Sequence, residues 1–135
     1  MQQKPNQFIR LRQEKLEKIK ALGIDPYPVE SSRSHLISAL LDNKDSWIER
    51  EESVVIAGRL VAMRRQGKIG FGNIEDISAR IQIYVAQNEL GEENYELFKL
   101  CDPGDFVQAE GTLFFTQAGE YSLKCSKITL LSKNI

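Results

Sequence analysis

SVVIAGRLVAMRRQGKIGFGNIEDISARIQIYVA, residues 53–86, reads as three consecutive β-strands. The cleanest is the last, ARIQIYVA (79–86). Ile81, Ile83 and Val85 alternate with Arg80, Gln82 and Tyr84, the period-2 pattern of a strand with one buried face. SVVIAGRLVAMRR (53–65) and KIGFGNIED (68–76) are the two before it, parted by a short turn at Gln66-Gly67. Ile77-Ser78-Ala79 makes the next turn. Downstream, GEENYELFKL (91–100) is predicted as a short helix carrying Tyr95, Leu97, Phe98 and Leu100. Asp102-Pro103-Gly104-Asp105 is a strong turn signal. FVQAEGTLFFT (106–116) and EYSLKCSKITLL (120–131) are the fourth and fifth strands, with a hairpin turn at Gln117-Ala118-Gly119.

Three strands, a helix and two strands is the element order of an OB-fold, a five-stranded Greek-key barrel that binds oligonucleotides or oligosaccharides on strands 2 and 3. Another small barrel, or an α+β sheet, carries the same order. Upstream, Phe8, Ile9, Leu11, Leu16, Ile19 and Leu22 form an apolar stripe with helical spacing, so a helix is predicted over 7–22. Gly23 stands as its C′ residue, and Pro26 and Pro28 prevent continuation. GIDPYPVESSRS is then a linker. A second helix is predicted from near Ser34 to about Trp47, with Leu36, Ile37, Leu40 and Leu41 on its apolar side. The expected class is mainly β: a helical appendage over 1–52, then a barrel over 53–135 with a short helix between strands 3 and 4.

The composition suits an ordinary globular domain. The 135 residues include 18 Lys+Arg, 19 Asp+Glu and one His, with a net charge of −1 and 41% hydrophobic residues. That excludes collagenous and wholly disordered chains. No apolar run approaches the ~20 residues of a membrane-spanning helix, and MQQKPNQFIRLRQEK has no apolar leader core. A cytoplasmic location and no membrane partner are the expectations. The charge is uneven. Residues 53–74 hold Arg59, Arg64, Arg65 and Lys68 with no acid, whereas 89–110 hold seven acids and one Lys. Cys101 and Cys125 lack CxxC spacing and read as reduced core thiols.

Catalytic templates find no match. His35 is the only histidine, which leaves no second imidazole for a metal cluster or triad, and a surface or capping role is expected for it. Gly58 and Gly67-Lys68 are too far apart for a P-loop, and Ile69 stands where Ser or Thr would touch magnesium. Gly70-Phe71-Gly72 lacks the third glycine of a dinucleotide fingerprint. Glu75-Asp76 reads as a solvated strand end.

A binding reading does better. Phe71 lies between two glycines, which would leave its ring accessible for a base to stack on. Gln82 lies on the polar face of strand 3, where an amide can both donate and accept at a base edge. Arg64 and Lys68 bracket the first turn and can meet phosphates or stack. Glu120 follows the last hairpin, where a carboxylate would read a donor on a base. Each taken singly has an ordinary reading too: a core ring, an exposed strand amide, a solvated turn charge.

At this point the chain resembles one family. RLRQEKLEKIKALGIDPYP (10–28) looks like the first helix and turn of bacterial class II lysyl-tRNA synthetases. VIAGRLVAMRRQGKIGFGNIED (55–76), ARIQIYVA (79–86), GEENYELFKLCDPGD (91–105) and GTLFFTQAGEYSLKCSKITLLSK (111–133) look like their OB domain, which binds the anticodon of lysine tRNA. The LGIDPYP ending favours the lysyl enzymes over the aspartyl and asparaginyl relatives. The resemblance implies that Phe71 stacks on an anticodon base and that Gln82 reads the central uridine. It implies that Glu120 recognises a uridine and that Arg64 is the arginine of the MRR segment. Lys15, Lys18 and Lys20 would touch the tRNA backbone beside Lys68. Ile69-Gly70 departs from the small-residue pair usual before the Phe.

The expected function is therefore recognition of a UUU-type anticodon loop. The family's ATP, Mg2+ and lysine chemistry belongs to a catalytic domain, and no class II signature is present here. This chain alone is expected to need no cofactor and to form no lysyl-adenylate. The ending after LLSKNI reads as excision at a domain boundary, and the family enzyme is a homodimer. Two other functions remain open: a free-standing single-strand binder, and a structural dimerisation or docking module.

Overall fold

The computed structural model describes Glu14, Lys18 and residues 33–134. Glu14 and Lys18 are helical and exposed. The rest of the helix expected over 7–22, with Lys15 and Lys20, lies outside the described residues.

Two short helices, α1 (Ile37–Leu41) and α2 (Lys44–Arg50), lead into β1 (Val54–Gln66), β2 (Ile69–Glu75) and β3 (Arg80–Ala86). Then come α3 (Gln87–Leu90), α4 (Glu92–Leu100), β4 (Phe106–Phe115) and β5 (Tyr121–Ser132). The strands close a barrel in the order β1-β2-β3-β5-β4, the OB-fold arrangement. All pairs are antiparallel except β3 with β5, where only Gln82–Tyr84 and Ser122–Lys124 pair.

Strand alternation sets the inside. Val54, Ile56 and Leu60 of β1, Ile81, Ile83 and Val85 of β3, and Leu123, Cys125, Ile128 and Leu130 of β5 are buried in one core. Fully burying one such side chain contributes roughly 1.5–3 kcal/mol. β1 is long enough to serve two neighbours. Its residues 54–59 pair with β4 and 59–66 with β2, with a register shift between Leu60 and Ala62 that bends the strand. Gly111 occupies another such shift, and a Cβ there would overlap the Lys124 carbonyl.

The glycines around Phe71 have a different purpose from the one expected. Gly70 and Gly72 are buried on the inner side of β2. A Cβ on Gly70 would lie 2.8 Å from Phe98 Cε2, and one on Gly72 3.1 Å from Leu60 Cδ1. They make room for core side chains beneath the strand. Phe71 faces outward because it alternates with them.

The single helix predicted over 34–47 is corrected to two. Asn43 adopts φ 56, ψ 53 and breaks the run, and α2 then extends to Arg50. Asp42-Asn43 is a pair whose side chains compete for backbone hydrogen bonds, and Asn tolerates the left-handed region. In the same way Gly91, at φ 92, parts α3 from the helix expected over 91–100. Ile37, Leu40 and Trp47 belong to the barrel's own core cluster. Tyr121 Oη donates to the Leu40 carbonyl at 2.7 Å, and burial pushes its pKa up to about 12. His35 takes a surface role, with Nδ1 2.8 Å from Ser34 Oγ and its ring edge-on to Trp47. Both cysteines are buried and form no disulfide, and burial raises the Cys125 thiol pKa. No helix among the described residues is long and apolar enough to cross a membrane.

Two carboxylates tie distant segments together. Asp76, after β2, accepts from Ile37 N at 2.8 Å, so a residue 39 positions away caps α1. Its other oxygen accepts from Ser78 N, Ser78 Oγ and Ala79 N. Burial raises the Asp76 pKa, but the Ser78 hydroxyl and the three backbone N–H groups together lower it more, leaving it below the ordinary 3.8. The folded pKa is thus below the unfolded one. The resulting stability is present above the unfolded pKa and is lost as pH falls through the folded value. Asp76→Ala is expected to cost about 0.5–2 kcal/mol at pH 7, the range for a lost cap. Thermal unfolding followed by circular dichroism should show the gap from wild type close as the pH is taken below 4. A gap that persists in acid would refute the assignment.

Just past the end of β5, Lys133 is buried. Its Nζ lies 2.6 Å from Asp105 Oδ2, 2.9 Å from Asp102 Oδ2 and 3.1 Å from the Leu100 carbonyl. Asp105 is fully buried and also accepts from Asn134 N and Asp102 N, both at 2.8 Å. The end of β5 is thereby locked to the α4–β4 turn.

Candidate nucleic-acid interface

On the outer face of the barrel the ladder registers place side chains in two rows. One row runs Arg64 (β1), Phe71 (β2), Tyr84 (β3), Lys124 (β5) and Thr112 (β4). The other runs Ala62, Asn73, Gln82, Ser122 and Phe114 on the same strands. The first row is cationic and aromatic and the second is mainly amide and hydroxyl.

The rings of the face touch. Phe71 packs against Tyr84 at a centroid distance of 5.5 Å, and Tyr84 against Phe114 at 5.5 Å. A cation covers each end: Arg64 lies 4.6 Å from the Phe71 centroid and Lys124 5.0 Å from that of Phe114. Phe71, Tyr84, Phe114 and Gln82 are half-buried, so each supports the next and still presents surface. Arg64, Phe71, Asn73 and Gln82 line one shallow depression of about 100 Å³.

In the amide row, Gln82 Nε2 donates to Ser122 Oγ at 2.9 Å. The Ser122 hydroxyl donates to the Glu120 carbonyl at 3.3 Å. Glu120 itself sits in the β4–β5 hairpin. Thr116 N donates to its carbonyl, its N–H donates to Thr116 Oγ1, and Gly119 at φ 86 makes the turn. Its backbone is fixed while its residue is exposed.

The structure therefore brings Arg64, Phe71 and Gln82 together, and links Glu120 to them through Ser122. Lys68 is exposed at the β1–β2 turn, outside the depression. Lys18 is exposed on its helix. Sequence reasoning missed Asn73, Tyr84, Phe114, Ser122 and Lys124. Alternation marks their faces, but only the barrel register shows that they are neighbours. It also missed the next groove, about 510 Å³, lined by Arg64, Arg65 and Lys99 together with Asp102. Arg64, Arg65 and Lys68 make no ion pair with a described carboxylate. A base edge can find stacking and amide contacts here, and a phosphate can find cations.

Comparison with known proteins agrees with this chemistry. The chain is 41% identical over 133 residues to the lysine–tRNA ligase of Lactococcus lactis subsp. lactis (strain IL1403), covering 95% of this chain and 27% of that protein. It is 41% identical over 135 residues to the lysine–tRNA ligase of Bacillus cytotoxicus, covering 96% and 27%. For Carboxydothermus hydrogenoformans the identity is 39% over 133 residues, covering 98% and 27%. The chain thus spans about a quarter of the length of these relatives. The family model for tRNA anti-codon domains, described as an OB-fold nucleic acid binding domain, matches residues 54–131. With more than half of its length matched by that model, and a closed five-stranded barrel beneath it, the chain belongs to the tRNA anti-codon family of OB-fold nucleic acid binding domains.

Proposed function

We propose that this chain is the anticodon-recognition domain of a lysine–tRNA ligase and binds the UUU-type anticodon loop of lysine tRNA. One observation carries the reading: a stacking ring under a guanidinium and an anchored amide line one depression on the outer face of an OB barrel. In this reading the loop bases leave their own stack, as single-stranded RNA readers require. Phe71 takes one base, Gln82 and the Glu120 carboxylate contact base edges, and Arg64 closes over the stacked base. Lys68, with Arg65 and Lys99 in the adjoining groove, neutralises phosphates, and Lys15, Lys18 and Lys20 extend that contact along the RNA backbone. The barrel over 53–135 is the binding unit and 1–52 its appendage.

Lysine activation, with ATP and Mg2+, belongs in this reading to the rest of the relatives' length, as does dimerisation. Among the described residues no group of three or more His, Cys, Asp or Glu is placed to hold a metal, and the buried Asp105 is paired with Lys133. A cytoplasmic location goes with the same reading.

The test is a fluorescence titration with an anticodon stem-loop carrying UUU and the same stem carrying GUC. UUU is expected to bind about tenfold tighter or better, the worth of one good base-edge pair. Affinity for both should fall with salt in proportion to the phosphates neutralised. Equal affinity for the two loops would point to a single-strand binder without base preference, which the sequence-tolerant aromatic row also suits. No binding to either would leave a structural module.

A further inference from the structure

A glutamine side chain in a recognition site has a hidden ambiguity. Its oxygen and nitrogen are nearly the same size, so the amide can turn over and exchange donor for acceptor at little steric cost. A free amide therefore suits two different bases. Uracil presents an N3–H donor flanked by two carbonyl acceptors. Cytosine presents the N3 acceptor in the same place, beside an N4 amino donor. Turning the amide over converts a partner for one into a partner for the other. Discrimination needs something that forbids the turn.

Ser122 has that position. It is fully buried. Its hydroxyl donates to the Glu120 carbonyl at 3.3 Å, which turns an oxygen lone pair towards Gln82. Only the amide nitrogen satisfies an acceptor, and Gln82 Nε2 is the atom found there, at 2.9 Å. With the amide turned over, Gln82 Oε1 would oppose the Ser122 lone pairs, and the hydroxyl could meet it only by leaving the Glu120 carbonyl. The Glu120 carbonyl is in turn held by Thr116 N at 2.9 Å. The hairpin that presents Glu120 therefore also sets the polarity of Gln82.

We propose that Ser122 is a specificity-determining positioning residue, which locks the Gln82 amide in one orientation so that the interface accepts a base with an imino donor, uracil, and rejects cytosine. The inference rests on the anticodon-loop reading above. It adds that selectivity lies in the lock as well as in the amide. Ser122 itself contacts no base. Its loss is expected to relax the choice of base more than it weakens binding.

The first arm of the test needs no RNA. In the NMR spectrum of the free chain, one Gln82 side-chain amide proton should exchange with solvent more slowly than those of exposed glutamines. Ser122→Ala should remove that protection. The second arm titrates wild type and Ser122→Ala with stem-loops carrying UUU and UCU. Wild type should prefer UUU by about tenfold. In Ser122→Ala the ratio should fall towards unity, chiefly through a gain for UCU. Ser122→Cys, close in size but a poor acceptor, should lie between the two, and it carries the test if the alanine variant unfolds. A variant with the wild-type ratio overturns the proposal, as does an unprotected Gln82 amide in wild type. Wild-type binding without a UUU preference also overturns it while leaving RNA binding in place. Wild type that binds neither loop refutes the anticodon-loop reading and the proposal with it.

Discussion

Asp105→Ala is expected to lower the stability of the folded chain by about 3–5 kcal/mol, the cost of stranding one partner of a buried ion pair. The side chains of Lys133 and Asp105 are both 0% exposed. Without Asp105, the ammonium keeps only Asp102, which is 23% exposed, and the Leu100 carbonyl. Asn134 N and Asp102 N lose their acceptor as well. The midpoint of thermal unfolding should fall by on the order of 10–20 °C for a folded unit of this size. Lys133→Met alone strands the carboxylate instead and should cost a similar amount. The double variant Asp105→Ala with Lys133→Met should recover part of the loss, because it leaves no uncompensated charge. Single variants that unfold within 1 kcal/mol of wild type would show that the pair is solvated. Neither Asp105 nor Lys133 lines the depression that holds Phe71 and Gln82, so a folded variant should keep its preference for one loop over another.

Phe71→Ala is expected to weaken binding of every anticodon loop, matched or not. Base–aromatic stacking is worth about 1–3 kcal/mol per base, or roughly 5- to 150-fold in affinity. The loss should be nearly equal for UUU and GUC loops, because every base has a π-face. The ring's setting argues for the upper half of that range. Arg64 covers one face of Phe71 and Tyr84 packs against it, so the ring is held in place before any ligand arrives. In the proposed reading a base enters by lifting the guanidinium and then lies between it and the ring. Alanine removes both the platform and the reason for Arg64 to lie there. Equilibrium titration at one fixed salt concentration measures the loss. An alanine variant that binds as well as wild type would rule out stacking on Phe71, whatever else the barrel binds.

Much of this fold is written locally. ARIQIYVA shows its two faces by alternation, and Asp102-Pro103-Gly104-Asp105 shows its turn by residue type. Arg64, Phe71, Gln82 and Glu120 were legible as candidates because each puts a chemically unusual group on a polar strand face or at a turn. What stayed hidden depends on residues far apart in the chain. Asp76 caps a helix 39 positions upstream, and nothing near α1 announces it. Lys133 reads as an ordinary terminal lysine until the barrel closes and buries it against Asp105. Tyr84 looked like one more exposed strand residue, yet it is the middle ring of three. The breaks at Asn43 and Gly91 are local signals of another kind: a single residue with positive φ inside an apolar periodicity ends one helix and lets a second begin.

The shortest pairing in the barrel has a kinetic meaning. Only three residue pairs join β3 to β5, and they join positions about 40 apart in the chain. Such a contact forms late, since a large loop must close before it gains anything. It is also a place where the barrel can open without unfolding elsewhere. Gln82 and Ser122, and Tyr84 and Lys124, are two of those three pairs. In the proposed reading the recognition surface therefore lies across the zip of the barrel: the depression of Arg64, Phe71 and Gln82 stands on the β1–β3 side, and Ser122, Phe114 and Lys124 stand on the other. A ligand that touched both sides would clasp the zip shut, so its binding and the closure of the barrel would be linked, and an opened barrel would keep the stacking ring but lose the serine that holds the Gln82 amide.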